Sequence, residues 1–307
     1  MVGAMTDLCS VASREREEPL TATASRVERW LLVEHRGAWG PESVPTGRLA
    51  AAVARALTRA AAASQARLLL VRRPAAQRSV TSARTDGRWV YAVDSRPGGE
   101  RVLARHLRAD AELVGLDPPY GTDDPAGWDR LDGPLYLVCT HGRHDRCCAL
   151  RGRPVAKALS QRFPDRTWEC THVGGHRFAA NLVVLPAGLY LGRIEAAEAV
   201  RVVDDLAAGL LPAGRVRGRS SLPLPVQAAQ RFARDATGRW GAADLQPVTQ
   251  AANGQDSWAV RLAGPGGPDV EVVVAYDRSR GGRQRLTCGA EQDKPVPLFR
   301  QLSLRSI

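Results

Sequence analysis

Apolar residues in this chain come in short blocks divided by stretches rich in glycine and proline, and two spacings recur. The first twenty residues show neither and mix acid with base, so they are expected to be disordered, with Cys9 a bystander. RWLLVEH (Arg29 to His35), ARLLLVRR (Ala66 to Arg73) and RWVYAVD (Arg88 to Asp94) are of strand length and rich in branched and aromatic residues. Between the first two, Leu49, Val53, Leu57 and Ala60 recur at helical spacing, while Arg48, Arg55 and Arg59 fall on the other side. That predicts an amphipathic helix with Thr46 as its N-cap. RVLARHLRADAELVGL adds ordered structure of undetermined type, and LDPPYGTDDPAGWDR (Leu116 to Arg130) reads as a linker.

A second unit opens with the strand PLYLVCTH (Pro134 to His141). Pro154 suits the first turn of a helix in which Val155, Leu159 and Phe163 share a face, and Pro164 stops it. The strand TWECTHV (Thr167 to Val173) follows, then NLVVLP and GLYLGRI, then a helix from Glu195 to Leu206 with Gly209 beyond it. The order β-α-β-β-β-α is that of a small thioredoxin-like fold. The first unit has a comparable order, and its LLVEHRG lines up with YLVCTHG, placing Glu34 where Cys139 stands. Our hypothesis is that the first lobe is a ligand-free copy of the second. From Val216 the pattern changes to a helix (Val226 to Arg234) and three strand-like runs, SWAVRLA, VEVVVAYD and RQRLTCGA, a three-stranded antiparallel meander with Cys288 a buried thiol in its last strand. The fold class is therefore α/β: a disordered start (residues 1–20), a thioredoxin-like lobe without ligands (21–128), a second thioredoxin-like domain (129–215), and a small α+β unit (216–307).

Composition narrows the function. The chain is 44% hydrophobic, as soluble globular proteins are. It has no run of 18 apolar residues and no apolar signal segment at its start, so it is expected in the cytoplasm and not in a membrane. In a reducing compartment, clustered cysteines favour metal or redox chemistry over disulfides. The net charge is +11, and all but two of the 43 basic residues are arginines. These are scattered, without a nucleic-acid-binding motif, which argues against DNA or RNA and for an acidic redox partner protein.

Candidate chemistry concentrates between Cys139 and His176, where four of six cysteines (Cys139, Cys147, Cys148, Cys170) and four of six histidines (His141, His144, His172, His176) fall. Cys139-x8-Cys148 with His172-x3-His176 is the most economical set of four ligands. A structural Cys2His2 zinc site usually takes its cysteines two to four residues apart. Here they are separated by a long loop, and Gly174 and Gly175 keep the histidines off a helix, so a [2Fe-2S] cluster fits better. A Rieske-like set using Cys139, His141, Cys170 and His172 is an alternative, though it lacks the C-x-x-H half. The remaining expectations are a buried Cys170, a surface pairing of Asp145 with Arg143 or Arg146, and supporting donors in Arg177 and Asn181. His141 and His144 either hydrogen-bond the cluster or lie in a solvated loop. Two other functions stay open: an interaction protein with structural zinc, and a thiol-disulfide oxidoreductase using Cys147 and Cys148.

CTHGRHDRCC followed by THVGGHRFAANLVV, with the thioredoxin-like strand order, resembles the sucrase/ferredoxin-like family, relatives of thioredoxin-like [2Fe-2S] ferredoxins. The resemblance implies a cluster held by Cys139, Cys148, His172 and His176, in a protein that carries electrons or serves as a reductase component. Cys147 stands where the family pattern leads one to expect a non-thiol residue, so the second thiolate is Cys148 or Cys147. No pair of carboxylates is set for glycoside hydrolysis, which argues against a sucrase. Two ferric ions, two sulfides, two thiolates and two neutral imidazoles sum to zero charge, so the centre should be easier to reduce than plant-type ferredoxins near about −400 mV. Imidazole nitrogens not bound to iron can titrate. The expected outcome is a reduction potential that falls as pH rises, measured by voltammetry between about pH 6 and 9, a range that brackets an unperturbed histidine. A flat response would contradict it.

Overall fold

The computed structural model describes residues 8–42, 49–75, 87–122, 125–279, 282–296 and 298–307. The apolar blocks of both lobes join one sheet. In the first lobe these are β1 (Arg29–Glu34), β2 (Ala66–Arg72), β3 (Arg88–Asp94), β4 (Arg101–Leu107) and the two-residue β5 (Asp129–Arg130). In the second they are β6 (Leu135–Cys139), β7 (Thr167–Cys170), β8 (Leu182–Leu185), β9 (Leu189–Leu191) and β10 (Val216–Arg219). The ten strands run in the order β10-β9-β8-β6-β7-β2-β1-β3-β4-β5.

Within each lobe the first strand pairs in parallel with the second and antiparallel with the third, and the third pairs antiparallel with the fourth. The order β2-β1-β3-β4 thus reappears as β7-β6-β8-β9, which is the order the duplication hypothesis requires. Glu34 closes β1 as Cys139 closes β6, and each faces the parallel neighbour, Val71 or Cys170. The lobes meet where β2 and β7 run antiparallel, Val71 opposite Cys170 and Arg72 opposite Glu169. The Arg72–Glu169 pair closes at 2.7 Å in a largely buried place.

Strand residues are buried on both faces because each face has its own cover, which is why they read as unbroken apolar runs rather than alternating ones. Leu31, Val33 and Leu70 pack with Val53 and Leu57 of helix α2 (Ala51–Ala63), after the short α1 (Cys9–Glu15). Tyr136, Val138 and Leu182 pack with Val155 and Leu159 of α3 (Arg146–Arg162) and Val203 of α4 (Ala199–Ala207). The opposite faces of both lobes share a single cluster that includes Trp30, Leu32, Val71, Cys139, Trp168 and Cys170.

Five expectations are corrected. Residues Cys9–Glu15, expected to be disordered, form α1 with Cys9 buried; residues 1–7 lie outside the described residues. Helix α3 begins not at Pro154 but two turns earlier, because Asp145 caps it by accepting the Cys147 N–H. Pro154 lies inside the helix. The boundary expected after residue 215 falls at β10, an edge strand of the large sheet. In the C-terminal unit, α5 (Leu224–Thr237) packs on a four-stranded sheet of β11 (Gln246–Ala252), β12 (Ser257–Ala263), β13 (Val270–Tyr276) and the terminal strand Phe299–Ser306. The segment RQRLTCGA does not join that sheet: only Arg283–Gln284 pairs, with Lys294–Pro295, and Cys288 lies in a turn. Thr46 lies outside the described residues.

Gly152 sets how closely α3 lies on the sheet. A Cβ there would meet the Cys139 carbonyl oxygen at 2.2 Å, so helix and strand end touch through backbone. Glycine-to-alanine inside a helix ordinarily stabilises by roughly 0.5–1 kcal/mol. Gly152→Ala is expected to have the opposite sign, a loss of about 1–3 kcal/mol in urea unfolding, as overpacked sites show. A stabilised variant would disprove the close contact.

Candidate metal centre

The end of β6, the first turn of α3 and the loop after β7 converge on one place, where Cys139 and Cys148 are buried, His172 is half-buried and His144 is exposed. Cys139, Cys148 and His172 offer one sulfur or nitrogen each within 4.8 Å of one another, and so do His144, His172 and His176. The two groups share His172, whose ring centroid lies 4.0 Å from that of His144 and 4.7 Å from that of His176. Cys148 Sγ is 3.9 Å from His172 Nδ1. Three of the four expected ligands, Cys139, Cys148 and His172, thus come together, while His176 lies beside His172 in a group that includes neither cysteine. Cys147, one residue from Cys148, faces elsewhere: its sulfur lies 3.5 Å from Cys9 Sγ and 3.3 Å from Cys288 Sγ. Cys170 is buried in the shared apolar cluster and joins neither group, which leaves the Rieske-like set unassembled.

The loop from His172 to Gly175 owes its shape to side chains. Its successive carbonyls accept from Arg67 (2.9 Å, at His172), Ser25 and Tyr190 (3.1 and 3.2 Å, at Val173), Arg217 (3.0 Å, at Gly174) and Asn181 (2.9 Å, at Gly175). Gly174 and Gly175 take φ of 98° and 72°, the left-handed region that a side chain disfavours. A Cβ on Gly175 would also strike the Arg217 guanidinium. Arg217 is fully buried, donates to Asn181 Oδ1 at 2.8 Å and to the Thr23 carbonyl, and burial lowers its pKa to about 10.

His141 is buried and is a fixed part of the scaffold rather than a solvated loop residue. Its Nε2–H donates to the Gly40 carbonyl at 2.7 Å, which leaves Nδ1 to accept the His172 N–H at 3.3 Å. His144 is exposed and stacks on His172. Asp145, expected on the surface, is buried, and its oxygens accept the N–H groups of Cys147 (2.8 Å) and Cys288 (2.9 Å). Arg177 pairs with Glu18 at 2.6 Å, so only Asn181 of the two expected donors supports the loop.

Electrostatics suit soft-metal ligation. A hydrogen bond from Cys148 holds the Cys139 thiol well below its ordinary range, and the same bond with burial pushes Cys148 up. Burial, then the neighbouring His172, lowers His176 to about 4, so its ring is neutral at physiological pH. Its Nδ1 is buried and has no hydrogen-bond partner among the described residues. Buried polar atoms normally find partners, and a neutral imidazole nitrogen with none is what a metal ligand supplies.

The model of one family, sucrase/ferredoxin-like, matches residues 20–218, well over half of the chain. The chain belongs to the sucrase/ferredoxin-like family. A curated relative, altered inheritance of mitochondria protein 32 of Meyerozyma guilliermondii, is 28% identical over 95 residues, covering 27% of this chain and 34% of that protein. This chain thus spans about a third of that relative's length. No solved structure matches. The family match takes in Cys139, Cys148, His172 and His176 and leaves out Cys9 and Cys288. No helix among the described residues is long and apolar enough to cross a membrane.

His176 yields a pH prediction for the metal-free protein. Its folded pKa of about 4 lies below the ordinary 6.5, so the unfolded chain takes up the proton first. Stability is complete above the unfolded value and is lost as pH falls from 6.5 towards 4, by at most ~3 kcal/mol. Between pH 7 and 4 the wild type should lose that much unfolding free energy relative to His176→Asn in chemical denaturation. An unchanging difference would place the imidazole in water.

Proposed function

We propose that this chain is an electron-transfer protein carrying a [2Fe-2S] cluster on Cys139, Cys148, His172 and His176, with proton-coupled one-electron chemistry. The observation that carries this reading is the convergence of two buried thiols on half-buried His172, with the unpartnered Nδ1 of His176 on the other side of that ring's neighbourhood. Paired thiolates and neutral imidazoles are a donor set for such a cluster. When bound, it supplies one-electron oxidation and reduction.

The protein's own residues hold the donors and manage the proton. His141 and the four braced carbonyls keep the His172 to His176 loop from relaxing, and a fixed site reorganises little on a change of charge. Each imidazole has two nitrogens, so a ring that ligates through one keeps the other for a proton. His144, exposed and stacked on His172, joins that proton to solvent. Burial of Cys139 and Cys148 keeps water from the thiolates.

Beside His141 a groove of about 460 Å³ is lined by Trp39, Arg72, Arg143, Arg146 and Arg153. An acidic redox partner docking there would sit close to the histidines, and the arginines would speed its approach at low salt. The decisive measurement is iron and acid-labile sulfide in anaerobically purified protein, with an EPR spectrum after dithionite. Equal amounts of the two, a reduced-state signal, and loss of at least tenfold in both on Cys139→Ser or Cys148→Ser are expected. Colourless protein free of iron and sulfide would end this reading.

A further inference from the structure

A second cluster of ligands lies on the far side of the α3 first turn, built from parts of the chain that share no local pattern. Cys9 comes from α1, Asp145 and Cys147 from the start of α3, and Cys288 from the turn after Arg283–Gln284. The sulfur-to-sulfur distances are 3.5 Å (Cys9 to Cys147), 3.3 Å (Cys147 to Cys288) and 3.6 Å (Cys288 to Cys9). Both Asp145 carboxylate oxygens lie 3.8 Å from Cys9 Sγ. All four residues place a ligand atom within 4.8 Å of the others.

We infer that Cys9, Cys147, Cys288 and Asp145 form a structural zinc site. Three thiolates and a carboxylate carry the same charge as the four thiolates of a common structural set, and at Zn–S of about 2.3 Å tetrahedral geometry sets sulfurs about 3.8 Å apart. The triangle is slightly tighter than that, so a bound ion needs only a small expansion. A disulfide would need one pair to close to about 2.05 Å, leaving the third thiol and the carboxylate unanswered. The carboxylate is buried, and among the described residues no arginine or lysine pairs with it. Its oxygens are oriented by the Cys147 and Cys288 N–H groups, and the Cys9 N–H points to Cys288 Sγ at 3.5 Å, the supporting hydrogen bonds that metal ligands ordinarily receive. Cys9 and Cys147 are closed off, whereas Cys288 is part-exposed, which gives an ion a way in.

The site ties three distant segments together, across 138 residues from Cys9 to Cys147 and 141 from Cys147 to Cys288. It also fixes the helical turn that carries Cys148, the proposed cluster thiolate. It shares no ligand with the proposed iron site, so zinc here and iron on the other side can be measured separately.

The test is metal content by mass spectrometry of the full chain, with cobalt(II) titration of the metal-free protein as the spectroscopic probe. Expected are one zinc per chain and a thiolate-to-cobalt charge-transfer band with the d–d bands of a tetrahedral ion. Both should persist in the Cys139→Ser/Cys148→Ser double variant and fall at least tenfold in Cys9→Ser and in Cys288→Ser. If the latter variants fail to fold, the double variant still decides, since it leaves the triad intact. Zinc and the cobalt bands absent from the double variant would overturn the site, as would an intact mass two daltons low that dithiothreitol restores. Failure of the iron reading leaves this result untouched: it would show as loss of iron with zinc retained.

Discussion

Adjacent residues on an α-helix point about 100° apart, so two neighbouring cysteines in a helix cannot serve one small site side by side. Much of this molecule's chemistry follows from that constraint acting on Cys147 and Cys148. Asp145 starts the helix early enough to include both, by accepting the Cys147 N–H at 2.8 Å. Were the pair in a loop, either sulfur could turn to Cys139. In the first turn of α3, Cys148 turns to Cys139 and His172 while Cys147 turns to Cys9 and Cys288. The capping carboxylate is therefore what divides six cysteines into separate neighbourhoods.

The other wall of the centre depends on irregular backbone, and its cost has to be met locally. Residues 172 to 175 form no strand, so their carbonyls have no ladder to join; five side chains replace it. The central one is Arg217, a cation buried without a carboxylate partner among the described residues. Its charge is distributed over the carbonyls of Thr23 and Gly174, the amide oxygen of Asn181 and the Thr23 hydroxyl. A lysine, a single point of charge with three donors, could not span these acceptors as the planar guanidinium does. The seam between the lobes reinforces the same region, since Thr171 donates its N–H to Leu70 and accepts the Leu70 N–H on its hydroxyl, one residue before the loop begins.

What could be read from the sequence was what depends on neighbours in sequence. The strands Arg29–Glu34, Ala66–Arg72 and Leu135–Cys139 are apolar on both faces and stood out as uninterrupted runs. The common order of the two lobes showed through LLVEHRG and YLVCTHG. The start of α3 is hidden in the sequence because Pro154 is a good first-turn residue and HGRHDRCC has no apolar period to announce a helix that begins at Arg146. The last strand is illegible in the sequence because Phe299–Ser306 is largely exposed and polar, while RQRLTCGA looks more strand-like and is drawn off to the Cys9 neighbourhood. Cys9 and Cys288 meet across 279 residues, and no local pattern announces such a contact. Arg217 had no signal either, being one arginine among dozens.

A consequence of the shared helical turn is energetic coupling between its two sides. Cys147 and Cys148 belong to one rigid hydrogen-bonded element, so an arrangement that fixes one sulfur narrows the positions open to the other. Linkage makes this reciprocal: whatever free energy an occupant beside Cys147 adds to the fit beside Cys148 must be returned in the opposite direction. The element is also where the chain's distant segments meet the sheet, since α1 and the Cys288 turn reach the second lobe at Cys147 and Asp145. Order at both ends of the chain is thereby tied to the geometry of one thiol in the centre. A small ligand cluster near solvent is kept in shape by segments remote in sequence, rather than by the short loops that carry its own donors.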